Sequence, residues 1–341
     1  MTPLLVHAVV PPERVGLTAL RIRQPLAALA RLPGIECRID EAAGFSPDRH
    51  SMAKILLMQR RMLSLADARL LLRPLIDAGY VLVTELDDHP ARRAGYAQAG
   101  FLGLRAMHAL QTTTEPLAEV LRQYNPTVGV FANQIEALPP LRHQGSPVTV
   151  FFGALNREDD WPPLLPALNR QLSRRPEVKV EVVHDRAFFD ALETANKHFT
   201  PTCPYAVYLD LLARADICLM PLSDNAVNRC KSDVKFIEAA ASGAAALASP
   251  TVYAGTIQDG ETGLLFDEPG AFEAKLSALL DRPDLRQRLA TAAHDYVRRE
   301  RLLAAHIARQ ADWYRLLCAE RIQLTAELAV RAPELALSKS A

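Results

Sequence analysis

The run ADICLMPLSDNAVNRCKSDVKFIEAAASGAAALAS, residues 215–249, decides the fold of this chain. It begins with an apolar stretch of strand character, shows helical periodicity from Val234, and ends in small residues after Gly243. A strand, a helix and a second strand in this order form a βαβ unit with parallel strands. One residue departs from the pattern: Glu238 lies on the apolar stripe of the helix, where an unpaired carboxylate is costly.

The same alternation of strand and helix patterns extends over most of the 341 residues. The predicted strands are 4–10, 54–58, 80–86, 108–112, 128–133, 148–154, 178–183, 215–222, 244–249 and 262–266. The predicted helices are 66–78, 115–124, 164–174, 206–214, one from 234, 270–280, and a long one from 284 to about 320. Such alternation predicts parallel sheets with helices between their strands.

A stretch rich in turn residues, RHQGSP at 142–147, divides the pattern into two halves. We therefore predict an α/β protein of two Rossmann-like, doubly wound domains, 1–144 and 145–304, facing each other across a cleft. The helix at about 305–320 is expected to pack back on the first domain. Ligands bind beyond the carboxyl ends of parallel strands, so the chemistry is sought in the loops that follow them.

The composition excludes several classes of protein. The 39 basic and 39 acidic residues give zero formal net charge, which argues against a nucleic-acid-binding surface. The five cysteines include no C-x-x-C pair, so neither a disulfide framework nor structural zinc is expected. There is no apolar run of about 18 residues and no signal-peptide pattern. We expect a cytoplasmic protein and leave peripheral association with a membrane open.

Cationic and polar residues precede the helix that carries Glu238. Lys231, Ser232 and Asp233 lie where the free N–H groups and the positive dipole end of a helix suit a phosphate. Glu238, about one and a half turns further along, can accept hydrogen bonds from vicinal hydroxyls. Together these predict a nucleotide site, with phosphate at the helix start and ribose at the carboxylate. The alternative is that Glu238 only pairs with Lys235 or Arg229.

The loop after the predicted strand 148–154 offers a second contribution to this site. Gly153 permits close approach of a ligand to the backbone, and Arg157 can pair with a diphosphate. The alternative for Arg157 is an ordinary surface arginine. Asp159 and Asp160 are predicted to cap the next helix.

The acidic stretch TELDDHP, residues 84–90, ends a strand of the first half. Its side chains are expected at the cleft, where Asp87 and His89 are our candidates for a general base on an acceptor hydroxyl. The same groups can instead hydrogen-bond sugar hydroxyls. A third alternative is a site for Mg²⁺ or Mn²⁺, which we discount because the second half already supplies a metal-free phosphate site.

The ordered motifs of residues 215–266 resemble the donor-binding half of retaining glycosyltransferases of the GT-B fold, the family 4 or "group 1" set. The motif residues are Asp216, Pro221, Glu238, Gly243 and the turn DGETGLL from 259. ALRIRQPLAAL from 19, LLMQRRM from 56 and the stretches 111–138 and 150–168 extend the resemblance over residues 4–300. No glycine fingerprint of a nicotinamide dehydrogenase is present.

The resemblance implies transfer of a sugar from a nucleoside-diphosphate donor, UDP- or GDP-linked, to a glycan, lipid-linked or protein acceptor. It implies retention of anomeric configuration without a metal ion or other cofactor. Glu238 then contacts the ribose, and the loop of Gly153 and Arg157 faces the donor phosphates. Many relatives carry a second, sugar-binding glutamate eight positions earlier, where this chain has Cys230. Two alternatives therefore stay open: a nucleotide-sugar epimerase of the same fold, and a non-catalytic relative that binds donor or glycan.

Overall fold

A computed structural model describes residues 3–11, 18–41, 44–48, 50, 52–141, 145–153 and 155–336. Its strands are β1 (Leu4–Val10), β2 (Ile35–Glu41), β3 (Ala53–Gln59), β4 (Tyr80–Glu85), β5 (Ala109–Thr112), β6 (Val128–Val130), β7 (Thr149–Gly153), β8 (Lys179–Val183), β9 (Lys197–Thr200), β10 (Ile217–Met220), β11 (Ala245–Ala248) and β12 (Leu264–Leu265). Within these residues they form two six-stranded parallel sheets, ordered β2-β1-β3-β4-β5-β6 and β12-β11-β10-β7-β8-β9. The predicted doubly wound α/β class is confirmed.

The helices alternate with the strands, as βαβ units require. They are α1 (Gln24–Leu29), α2 (Leu65–Asp77), α3 (Ala94–Gln98), α4 (Leu102–Arg105), α5 (Glu115–Arg122), α6 (Leu165–Ser173), α7 (Arg186–Ala191), α8 (Tyr205–Leu212), α9 (Ala226–Arg229), α10 (Val234–Ala241), α11 (Pro250–Tyr253), α12 (Pro269–Asp281), α13 (Pro283–Glu300), α14 (Leu303–Ala319) and α15 (Arg321–Arg331). A π-helical turn, Ala19–Arg23, precedes α1. Three 3₁₀ turns are Pro90–Arg92, Pro162–Leu164 and Pro333–Leu335.

Both faces of each sheet are buried, which explains why the central strands are almost continuously apolar. In β3, Ile55 and Leu57 join one apolar cluster while Leu56 and Met58 join another on the opposite face. The second sheet likewise separates two clusters. Because successive side chains of a strand point to opposite faces, alternating polar positions in a strand covered on both sides would bury polar side chains.

Three departures from the sequence-based expectations have local causes. Strands β2 and β9 were not predicted; each lies at an edge of its sheet, where polar residues interrupt the apolar pattern. The single helix expected from 284 to about 320 is wrong, because it is two helices separated at residues 301 and 302. Arg301 leaves the helical path there and donates hydrogen bonds to Asp233 and to the backbone oxygen of Asn133.

The chain crosses between the two sheets at two places that lie side by side. Ile135 N donates to Arg301 O (2.8 Å), and Leu303 N donates to Ile135 O (2.9 Å). After this crossing α14 packs on α1 and on the first sheet, burying Tyr314 in the cluster that contains β1. The boundary predicted at 144 falls on residues 142–144, which lie outside the described residues. Among the described helices, none is both long and apolar enough to span a membrane.

Candidate functional site

A cavity of about 500 Å³ is lined by both halves of the chain. Its walls include residues one or two positions beyond the ends of β3, β4, β7 and β8, so it lies at the carboxyl ends of the two sheets. Its cationic lining residues are Arg60, Arg92, Arg93, Arg157, Lys231 and Lys235. Its carboxylates are Asp87, Asp88 and Glu238. The excess of cations favours an anionic ligand.

Glu238 lines this cavity and is at the same time held by neighbouring side chains. It is 2% exposed, and it accepts hydrogen bonds from the hydroxyl of Tyr205 (2.8 Å), the hydroxyl of Tyr208 (3.2 Å) and Nζ of Lys235 (3.2 Å). The alternative partner Arg229 pairs instead with Asp224. A carboxylate has about four lone-pair positions, so three internal donors leave room for a ligand hydroxyl.

The two tyrosines on α8 belong to an aromatic group that the sequence reasoning missed. The rings of Tyr205 and Tyr208 are nearly parallel at 6.1 Å, and His184 lies parallel to Tyr208 at 6.3 Å. Lys235 Nζ is 4.1 Å from the centroid of the Tyr208 ring. Burial, followed by the charge of Glu238, raises the pKa of both tyrosines far above the ordinary value, so both hydroxyls stay protonated donors. The sequence did contain a signal for this aromatic group, the Y-x-x-Y spacing that places two tyrosines on one face of a helix.

Gly153 ends β7 beside this aromatic group. A Cβ at this position would lie 2.4 Å from a ring carbon of Phe151 and 2.8 Å from a ring carbon of Tyr208. The packing of these two rings therefore leaves no space for a side chain at this position. Gly153 is not among the residues that line the cavity, and its contact with a donor stays a prediction.

The three residues before α10 lie in two different environments. Lys231 and Ser232 line the cavity. Burial, and next the charge of Arg157, lowers the pKa of Lys231 to about 8. Asp233 is not among the cavity-lining residues: its carboxylate pairs with Arg301 (3.0 Å) and accepts from the Thr256 hydroxyl (2.8 Å). Its predicted donor contact is thus replaced by an ion pair to the crossing segment.

Arg157 is a cavity residue rather than an exposed surface arginine. It is 8% exposed, with Nε 3.7 Å from Asp160 Oδ2. The expectation that Asp160 caps the next helix is wrong, because its Oδ1 accepts from Ser223 N (2.9 Å) and Asn228 Nδ2 (3.1 Å). Asp160 thereby holds Arg157 against the loop that follows β10.

On the first-domain wall, the acidic stretch is only partly directed at the cavity. Asp87 lines it and pairs with Arg60, its Oδ1 2.6 Å from Nη2. His89 does not line it: Nδ1 accepts from Ala91 N (3.1 Å), capping a 3₁₀ turn, and burial lowers the pKa of the imidazole. Asp88 occupies the wall in its place.

The alternative metal site of the same stretch does not form among the described residues. The carboxylates of Glu85 and Asp87 each pair with an arginine, Glu85 with Arg21 at 2.7 Å. No group of three or more His, Cys, Asp or Glu side chains in the described part of the chain is arranged to hold a metal ion.

Cys230, at the position where the resemblance implies a second glutamate, is not among the residues that line the cavity. It is buried in the apolar cluster that also contains Leu328 of α15, and its backbone oxygen accepts from the hydroxyl of Thr114 (2.9 Å). Burial, and then the charge of Asp88, raises the pKa of the thiol, so it stays uncharged. It therefore joins α9 to the first domain.

Comparisons with known proteins agree with this geometry. Residues 163–312 match the model of a family described as glycosyl transferase-like. No curated protein sequence matches the chain. Among solved structures it resembles HepE from Anabaena in complex with UDP-glucose (13% identity, TM-score 0.65, 90% of this chain and 99% of that one). It also resembles WaaG, a glycosyltransferase of lipopolysaccharide biosynthesis (16% identity, TM-score 0.60, 91% and 98%).

A third similar structure is TarM from S. aureus, with 10% identity and a TM-score of 0.57. The match covers 76% of this chain but only 55% of TarM, so this chain spans about half the length of that protein. The two-sheet architecture shared with these proteins confirms the predicted GT-B fold. The family match together with the fold confirms the predicted resemblance to glycosyltransferases of the group 1 type.

Proposed function

We propose that this chain is a glycosyltransferase that moves a sugar from a nucleoside-diphosphate donor to an acceptor hydroxyl in the cavity between its domains. The observation that carries the proposal is the convergence, in one cavity, of Lys231, Arg157 and Ser232 with the buried carboxylate of Glu238. The first three suit a diphosphate, and Glu238 suits the vicinal hydroxyls of a ribose. These are the two ends of a nucleoside diphosphate.

In this proposal the protein stabilises the leaving diphosphate with fixed cations and donors. Lys231, with a pKa of about 8, is largely charged at neutral pH, and Arg157 is held beside it by Asp160. Asp233 does not cap α10 with its side chain, which leaves the first N–H groups of that helix to a phosphate. Charge stabilisation of this kind acts where negative charge develops, and it is the basis for proposing metal-independent transfer. Retention of the anomeric configuration is proposed from the resemblance to retaining glycosyltransferases alone.

On the opposite wall we propose that Asp87 accepts a hydrogen bond from the acceptor hydroxyl, with Arg60 setting its orientation. This role is not proposed for His89, because its ring caps a 3₁₀ turn and does not line the cavity. The proposed donor is a UDP- or GDP-sugar, and the HepE complex with UDP-glucose makes UDP-sugars the first to test. The proposed acceptor is a glycan, lipid-linked or protein hydroxyl.

Incubation with a panel of UDP-, GDP- and dTDP-sugars, with and without EDTA, tests the proposal. We expect slow release of one nucleoside diphosphate, unaffected by EDTA and greatly reduced in Lys231→Met. Lys179→Met, which alters an exposed lysine on β8, is the matched control and should behave as wild type. A new sugar isomer instead of hydrolysis would indicate an epimerase. Binding without turnover, even with acceptors present, would indicate a non-catalytic relative.

A further inference from the structure

The side-chain amide of Asn133 links a buried residue of the first domain, Arg21, to a residue of the cavity wall, Ser232. It is 6% exposed and follows β6, in the segment that crosses between the sheets. Its Oδ1 accepts from Arg21 Nη1 (3.1 Å), and its Nδ2 donates to Ser232 Oγ (2.8 Å). Its backbone oxygen accepts from Arg301 Nη2 (2.8 Å).

The direction of the Asn133–Ser232 hydrogen bond follows from the chemistry of the partners. A guanidinium only donates, so the amide atom that faces Arg21 must be the oxygen. The amide nitrogen then faces Ser232, and the serine oxygen accepts. The hydroxyl hydrogen of Ser232 is consequently directed away from Asn133. Since Ser232 lines the cavity, this hydrogen is available to a ligand there.

Arg21 is itself held in place by the core of the first domain. It is 4% exposed and donates to Glu85 Oε1 (2.7 Å) and to Phe131 O (2.9 Å). It lies in the π-helical turn before Pro25, a residue that cannot donate a backbone hydrogen bond to a preceding turn. The orientation of Asn133 is therefore decided by buried groups of the first domain that do not themselves line the cavity.

We propose that Asn133 is a positioning residue that holds the Ser232 hydroxyl as a hydrogen-bond donor to the diphosphate of the bound nucleotide. The inference rests on the proposed function, because the ligand is the nucleoside diphosphate named there. The Asp233–Arg301 ion pair fastens the next residue to the same crossing segment. Diphosphate binding in the second domain is thereby coupled to the arrangement of the first.

The test is a set of binding titrations with wild type, Asn133→Asp, Ser232→Ala and the double variant. The ligands are UDP, GDP and dTDP, and the nucleoside that matches the diphosphate bound best. An aspartate at 133 only accepts, so it turns the Ser232 hydrogen toward itself and away from the cavity. We expect Asn133→Asp and Ser232→Ala each to weaken diphosphate binding about tenfold and nucleoside binding less than twofold.

The double variant separates orientation from simple charge repulsion. If Asn133 acts through Ser232, the double variant binds the diphosphate with the same dissociation constant as Ser232→Ala. A direct effect of the added charge would change that constant by no more than about twofold. Asn169→Asp, which replaces a buried asparagine whose Nδ2 donates to Ala191 O (3.2 Å), is the matched control and should leave binding unchanged. Melting temperatures confirm that each variant is folded.

Three results would overturn the inference while leaving the proposed function intact. They are additive losses in the double variant, equal losses for nucleoside and diphosphate, or unchanged diphosphate binding in Ser232→Ala. The Ser232→Ala measurement can overturn the inference even if Asn133→Asp fails to fold. A wild-type protein that binds none of the three diphosphates would instead overturn the proposed function.

Discussion

Replacing Glu238 by glutamine tests whether the buried carboxylate serves a ligand, the fold, or both. Gln keeps one acceptor oxygen but places an amide nitrogen where a carboxylate oxygen received Tyr208 and Lys235. A hydrogen bond to a charged group contributes about 1.5–3 kcal/mol. Lys235 has a side chain that is 28% exposed and can turn to water, which offsets part of the loss. We expect about 2 kcal/mol of destabilisation, or a melting temperature lower by about 4–8 °C.

The same replacement should weaken the binding of a nucleoside diphosphate. A ribose hydroxyl that donates to a carboxylate loses a charge-assisted bond, again about 1.5–3 kcal/mol, which corresponds to about 10- to 150-fold in the dissociation constant. Isothermal titration calorimetry measures the affinity, and scanning calorimetry measures the stability. Tyr205→Phe is the control, since it removes the donor to Oε1 and keeps both the ring and the Glu238 charge.

The refuting result is specific. If Glu238→Gln lowers the stability by about 2 kcal/mol but leaves diphosphate affinity within twofold of wild type, the carboxylate is structural only. If Tyr205→Phe weakens diphosphate binding as much as Glu238→Gln does, the charge of Glu238 is not what the ligand uses.

Three further predictions follow from the same geometry. Because burial lowers the pKa of Lys231 to about 8, the charged form that binds phosphate is lost above that pH. Titrations from pH 7 to 9.5 should show affinity falling about tenfold per unit above pH 8, and Lys231→Met should abolish this dependence. Gly153→Ala should cost about 1–3 kcal/mol in urea denaturation, since its Cβ would lie 2.4 Å from a ring carbon, whereas Gly145→Ala, in open space, should cost little. His184 has φ +78°, so His184→Gly should be about 1 kcal/mol more stable than His184→Ala in the same assay; equal stabilities would contradict the strain argument.

The parallel sheets were readable from the sequence because a strand buried on both faces is a continuous apolar run. The run 54–58 identifies β3 for this reason, and 80–86 identifies β4. Strand β2 escaped prediction because an edge strand carries charged residues among its apolar ones. The break at Arg301 escaped because the residues around it continue a helical pattern. The contacts made at the break are tertiary ones: the ion pair of Arg301 with Asp233, its hydrogen bond to Asn133 O, and the pairing of Leu302 with Ile135.

Within the site, the sequence by itself identified the side chains that cluster around the start of α10. Lys231, Ser232 and Glu238 lie within eight residues, the first two just before α10 and the third in its second turn, so their proximity follows from closeness in the sequence. What holds them was decided by the tertiary structure: Glu238 is bonded by Tyr205, 33 positions away, and Ser232 by Asn133, 99 positions away. Periodicity reports which side chains share a face of one element. It carries no information on which distant element is packed against that face, since this depends on how the two sheets and the crossing segments come together.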